Sequence, residues 1–234
     1  MPTRAARRNN ERADEKAAPG PPDSPASSPS SPSSPSSPSS PAGPDAPGSP
    51  WRTLGGRAVY RNPWLAVTEY DVIRPDGGRG VYGVVDPGAN VTIVALEDDE
   101  SVWLIREFSY PLQRARWILP TGRVEPGEGP LLAAQRELAE EVGLRAAQWT
   151  HLGAWALSGG ISTQISHAYL AQALEHGAAT PEVTERLEPR ITSLRQAYAD
   201  CLAGAFSDAA VVLALWRAWT LLHGPDAPAS RTTS

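Results

Sequence analysis

Between Gly122 and Leu144 the order of glycine, proline and acidic residues leaves the backbone few options. Gly122, Gly127 and Gly129 allow tight turns and a close approach of backbone to a ligand. Pro130 suits a first helical turn. Leu131, Ala134, Leu138 and Val142 then keep helical spacing until Gly143 supplies a stop. The stretch therefore predicts a glycine-rich loop running into a helix over Pro130–Val142. At about 100° per residue, Glu137, Glu140 and Glu141 fall on one arc of that helix. Like charges at this spacing repel, so the cluster is locally unfavourable and becomes sensible if divalent cations sit between the carboxylates. Hard oxygen ligands with room for water suit magnesium, with manganese as an alternative. Glu128 just before the helix and Arg136 on it are spaced for a carboxylate–guanidinium pair that pins loop to helix. Glu-Leu-Ala-Glu-Glu alone is equally an ordinary solvated helix face; that reading leaves the glycines, the proline and the Glu128–Arg136 spacing unexplained.

The rest of the chain divides by composition. Residues 1–50 carry almost no large apolar side chains, and their centre repeats Ser-Ser-Pro with prolines at Pro29, Pro32, Pro35, Pro38 and Pro41. Such a segment cannot bury enough apolar surface to offset its ordering entropy, so a disordered tail with polyproline II character is expected. Residues 51–224 are expected to form one domain, and 225–234 a short C-terminal tail. Within the domain, strands are predicted around Ala58–Tyr60, Leu65–Arg74 and Gly80–Val85, separated by the turn signals Asn62-Pro63 and Pro75-Asp76-Gly77-Gly78. Asn90–Leu96 and Ser101–Phe108 read as a hairpin, and Gln148–Leu157 and Ile165–Leu174 as two more strands. A short strand near Arg190–Ile191 precedes helices at Leu194–Leu202 and Asp208–Leu222. The last of these is expected to bury Val212, Leu215, Trp216, Trp219 and Leu222 behind a Ser207 or Asp208 cap. Strands interleaved with few helices imply a mixed sheet covered by helices.

With a formal net charge of −5 the chain has no electrostatic footprint for nucleic acid. The basic start lacks the apolar run of a secretory signal, and no apolar run reaches the roughly 20 residues a membrane span needs. The single cysteine, Cys201, cannot form an internal disulfide, which favours a cytoplasmic location. Cys201 and His167 read as packing residues.

The stretch from Gly122 to Leu144 matches the Nudix box, Gly-x5-Glu-x7-Arg-Glu-U-x-Glu-Glu-x-Gly-U with U aliphatic, at every defined position. Tyr60-Arg-Asn-Pro-Trp64, Arg106-Glu-Phe-Ser-Tyr-Pro111, Leu119-Pro-Thr-Gly122 and Gly160-Ile-Ser162 further resemble the ADP-ribose and ADP-sugar pyrophosphatase branch of that family. The resemblance implies an α/β/α sandwich around a mixed β-sheet. It implies an enzyme that hydrolyses a diphosphate linkage in a nucleoside diphosphate derivative and releases a nucleoside monophosphate. Glu137, Glu140 and Glu141 would then hold the metal with the Thr121 carbonyl, and Glu128 would contact it indirectly or pair with Arg136. The general base would come from a later loop, where Glu182 and Glu185 are the candidates and Glu185 fits the pattern better. The nucleobase would stack on Trp51 and Tyr82 across a strand-exchanged homodimer, and Arg106 would contact substrate.

The chain also departs from that branch. Ser109 stands where a second arginine is common, Thr121 where alanine is common, and Thr163-Gln164 where Asp-Glu is frequent. Arg114 or Arg116 is the available substitute for the missing charge. Two other readings remain open on the sequence: a Nudix pyrophosphohydrolase that clears nucleoside triphosphates, and a non-catalytic module that senses a nucleotide.

Overall fold

The computed structural model describes residues 45–180 and 186–224. The expected tails and the candidate bases Glu182 and Glu185 lie wholly or largely outside them, although Asp45 accepts the amide of Thr53 through both carboxylate oxygens.

Strands β1 (Arg52–Arg61), β2 (Ala66–Ile73) and β3 (Arg79–Asp86) form an antiparallel sheet in the order β1-β2-β3. Its turns rest on short polar side chains. The Asn62 side-chain oxygen accepts the amides of Trp64 and Leu65, and Asp76 accepts the amide of Gly78. Next come β4 (Asn90–Ala95), β5 (Ser101–Ser109), β6 (Arg114–Ile118), β7 (Thr121–Arg123) and helix α1 (Pro130–Val142). The chain ends with β8 (Leu144–Ala156), β9 (Ile165–His176), β10 (Glu188–Ser193), α2 (Leu194–Leu202) and α3 (Ala209–His223).

The central sheet runs β7-β4-β9-β8. It is mixed: β4 and β9 are parallel, while β4–β7 and β8–β9 are antiparallel. Val91, Thr92, Ile93, Val94 and Ala95 are all buried. A strand hidden on both faces is what helices packed on both sides of a sheet produce, and α1 and α3 both pack on β4. A second sheet, β10-β5-β6, is antiparallel. Its join to the central sheet is where the expected hairpin fails. β4 and β5 belong to different sheets and share only the Leu96–Val102 bridge. The two runs are joined by a closed turn with Glu100 at a left-handed φ of 63°, but β4 takes β7 and β9 as its partners while β5 takes β6 and β10.

Two short strands, β6 and β7, escape periodicity because each is too brief to show one. Helix α3 is rotated from the expected face. It buries Val211, Ala214, Leu215, Ala218 and Trp219, whereas Trp216 and Leu222 are exposed. Small residues at Ala214 and Ala218 let the helix sit close to β4, β8 and β9, so they face the core in place of the larger Trp216. Trp219 is 1% exposed and stacks on Tyr198 of α2 with ring centroids 4.8 Å apart. Leu131 also differs from expectation, being exposed in the first turn of α1. Among the described residues no helix is long and apolar enough to cross a membrane.

Candidate active site

Helix α1 begins at Pro130 and ends at Gly143, whose φ of 70° is left-handed. Gly143 has a second duty. A Cβ there would lie 2.6 Å from the Gly177 carbonyl oxygen and the Ala179 amide nitrogen. Its own carbonyl accepts the Gly177 amide at 2.7 Å, and the Thr180 amide donates to the Glu140 carbonyl at 2.9 Å. The chain after β9 is thereby fastened to the end of the acidic helix.

Arg136 organises the loop before the helix. Its Nε and Nη2 donate to the two oxygens of Glu128 at 3.1 and 3.0 Å, a bidentate pair. Nη2 also donates to the Arg123 carbonyl at 2.9 Å, and the Glu125 amide donates to Glu128 at 3.0 Å. The expected pin between loop and helix is thus present. Nη1 of Arg136 donates to Glu137 at 2.7 Å and to Glu140 at 3.1 Å. Four charged side chains therefore share one network, which answers the like-charge repulsion on the helix.

The Arg136 guanidinium holds the Glu128 carboxyl below its ordinary pKa, and the carboxylates around Arg136 raise the guanidinium in turn. A depressed carboxyl pKa contributes stability above its unfolded value, and that contribution is lost as pH falls through the folded value. Glu128→Gln is therefore expected to lower unfolding free energy at neutral pH by about 1–3 kcal/mol. The gap to the unsubstituted protein should close as pH falls below the usual carboxylate range. Urea unfolding of both proteins across pH checks this; a pH-independent gap would show that the carboxylate charge is not what matters.

Glu141 is 7% exposed and accepts the Thr121 amide at 2.9 Å. The Thr121 hydroxyl donates to the Val91 carbonyl at 2.6 Å, so threonine locks β7 onto β4. Glu137 lies over Gly122 so closely that a Cβ there would meet its carboxyl carbon at 1.9 Å. A side chain at position 122 would require that carboxylate, or β7, to shift. Glu137 and Glu141 thus stand at the β7 edge, and Glu140 joins Glu137 through Arg136. Among the described residues, however, no three His, Cys, Asp or Glu side chains converge closely enough to enclose a metal ion. Arg136 engages Glu137 and Glu140 where a cation would compete for them. The donor set is entirely carboxylate oxygen, which fits a hard divalent cation and no softer metal.

Beside Thr121 and Gly122 opens a cavity of about 380 Å³, lined also by Asn90, Thr92, Glu107, Arg116, Gln164 and Asp208. It lies between the central sheet, the β5–β6 hairpin and the start of α3. Sequence reading missed most of this lining. Alternation along β5 was the usable signal, because Glu107 faces the cavity whereas Arg106 does not line it. Arg106 pairs instead with Glu188 at 3.1 Å, with both side chains largely exposed. Asp208 caps α3 by accepting the amides of Ala210 and Val211, and it also accepts from Arg116.

Trp51 and Tyr82 do meet. Their ring centroids are 5.3 Å apart and nearly perpendicular, and the Tyr82 hydroxyl donates to the Gly160 carbonyl at 2.7 Å. The departures at Ser109, Thr163 and Gln164 take structural form. Ser109 is buried and its hydroxyl accepts the Leu112 amide at 3.4 Å, the Thr163 hydroxyl donates to Asp86 at 2.7 Å, and Gln164 lines the cavity. His167 is partly buried beside His151, and both burial and that neighbour lower its pKa. Cys201 packs at the core's edge, and burial raises its thiol pKa, so it is not poised as a nucleophile.

Comparison with known proteins agrees with this arrangement. The Nudix domain model matches residues 86–212, and the model of the nucleoside diphosphate sugar hydrolase N-terminal domain matches residues 51–85. The chain is 29% identical over 123 residues to an ADP-ribose pyrophosphatase of Bacillus subtilis, covering 53% of this chain and 66% of that protein. It thus spans slightly less than two thirds of that relative's length. It is 31% identical over 149 residues to a CMP-5'-(N-acetyl-N-hydroxy-3-aminopropyl)phosphonate hydrolase of Streptomyces rubellomurinus, covering 63% of this chain and 71% of that one. A crystal structure of an ADP compounds hydrolase superposes with a TM-score of 0.66 at 28% identity, covering 75% of this chain and 96% of the other. With the Nudix model spanning more than half of the chain, and the box folded as a loop pinned to an acidic helix, this chain belongs to the Nudix family, whose members generally require divalent cations.

Proposed function

We propose that the chain is a magnesium-dependent pyrophosphohydrolase that cleaves the diphosphate linkage of a nucleoside diphosphate derivative, of the ADP-ribose or nucleotide-sugar kind, and releases a nucleoside monophosphate. The observation that carries this reading is the placement of Glu137 over Gly122 and of Glu141 on the Thr121 amide, at the β7 edge that lines the polar cavity, with Glu140 joined to Glu137 through Arg136. Glu137, Glu140 and Glu141, with the Thr121 carbonyl, would hold the cation. When bound, such a cation neutralises phosphoryl charge and orients the attacking water. The protein's own share is positional. Arg136 and Glu128 fix the loop, Gly122 admits the Glu137 carboxylate, and the Thr121 amide orients Glu141.

Glu185 is assigned as the general base that takes the proton from water, on the sequence pattern. In its favour, Thr180, just before that segment, is tied to Glu140 on the acidic helix. Trp51 and Tyr82 are assigned to the nucleobase, because their contact already makes an aromatic cluster at the loop that carries Gln164. A homodimer is proposed through the β1–β3 sheet, which exposes Leu54, Val59, Tyr60 and Val81 together with nearby Trp64. The two relatives act, by their names, on differing nucleotides, so the substrate is best identified directly. A panel of nucleotide sugars, ADP-ribose and nucleoside triphosphates should be assayed with magnesium for monophosphate release. The reading expects the diphosphate-linked compounds to be cleaved; preference for a triphosphate over all of them would overturn the substrate class.

A further inference from the structure

We infer that Glu107 and Asp208, by holding Arg116 between them, set the cavity to accept an uncharged, hydroxylated group and to turn away a terminal phosphate. The inference rests on the proposed pyrophosphohydrolase reading and adds what selects the substrate. Arg116 is the one cation among the described residues that line the cavity. Its Nη1 donates to Asp208 at 2.5 Å and its Nη2 to Glu107 at 3.4 Å. Two carboxylates therefore claim the charge that a phosphate would need. A phosphate entering here would face a net negative wall in a half-enclosed site, where an uncompensated charge is costly.

The buried Asn90 acceptor also favours a group that can donate. Among the described residues, the buried Asn90 side-chain oxygen accepts from no partner and the buried Arg116 Nε–H donates to none. A buried acceptor without a donor is unfavourable until a ligand supplies one. Each sugar hydroxyl donates one hydrogen and also accepts, so a group carrying several hydroxyls can serve Asn90, the carboxylates and Arg116, whereas a fully ionised phosphate only accepts. The cavity is contiguous with Thr121 and Gly122, so such a group would lie directly beyond the diphosphate held at α1.

The test compares ADP-glucose with ATP, which share a base and a diphosphate and differ in the group attached beyond it. Equilibrium binding by calorimetry, with calcium in place of magnesium, is the readout. The unsubstituted chain should bind ADP-glucose more tightly than ATP. Glu107→Gln and Asp208→Asn each remove one carboxylate charge, and asparagine still caps α3. Each should shift the ADP-glucose to ATP affinity ratio toward ATP by about tenfold or more, mainly through tighter ATP binding. Arg116→Gln removes the cation and should move the ratio the other way. A structural role alone would weaken both ligands together and give no opposite signs. An unchanged ratio in folded variants, or no binding of ADP-glucose by the unsubstituted chain, would overturn the inference. Failure of the pyrophosphohydrolase reading shows separately, as absent monophosphate release from every compound with magnesium.

Discussion

Replacing Glu141 with glutamine is expected to lower turnover by roughly 10²-fold or more while leaving the domain folded. The geometry allows that separation. Glu141 is buried and spends one oxygen on the Thr121 amide. Glutamine keeps the length, the helix propensity and an oxygen that can accept the same amide. What it loses is the charge needed to hold a divalent cation beside Glu137 and Glu140. Circular dichroism and thermal unfolding close to those of the unsubstituted protein, with activity gone, would fit this account. Activity within a few-fold of normal would exclude Glu141 from the metal site.

Gly122→Ala is expected to have an effect of similar size on turnover, through shape. The added Cβ would fall 1.9 Å from the carboxyl carbon of Glu137, so that carboxylate must leave its place or β7 must shift. Overpacking of this kind costs about 1–3 kcal/mol of stability. A displacement of about 1 Å in a positioned group can cost on the order of 10²-fold in rate. Because Glu137 shares Arg136 with Glu128 and Glu140, the displacement would spread through the loop. The checks are kcat and urea unfolding for the variant. Normal kcat would mean that the Glu137 carboxylate can move without consequence, and that its contact with Gly122 is incidental.

Much of the site could be read from residue spacing, because the box is local in sequence. The helix bounds, the Glu128–Arg136 pair and the left-handed Gly143 all arise from residues within one loop and one helix. The cavity was harder, since its walls come from β4, β6, the residue before β9 and the cap of α3, which only the topology brings together. Asp208 was visible as a helix cap, but its pairing with Arg116, 92 positions away, was not. The failed β4–β5 hairpin shows the same limit. Two apolar runs joined by four acidic residues signal a turn, yet which sheet each strand joins depends on partners elsewhere. That Glu107 and not Arg106 faces the cavity depends on which face of β5 meets the core, and two buried neighbours, Leu104 and Ile105, hide that alternation.

The central claim is that these carboxylates serve a metal-assisted cleavage of a diphosphate. The most direct measurement is identification of the products formed from ADP-glucose with magnesium, and again after chelation. The account predicts AMP and glucose 1-phosphate in equal amounts, and none of either once the cation is removed. Hydrolysis that survives chelation, or release of inorganic phosphate in place of AMP, would contradict it.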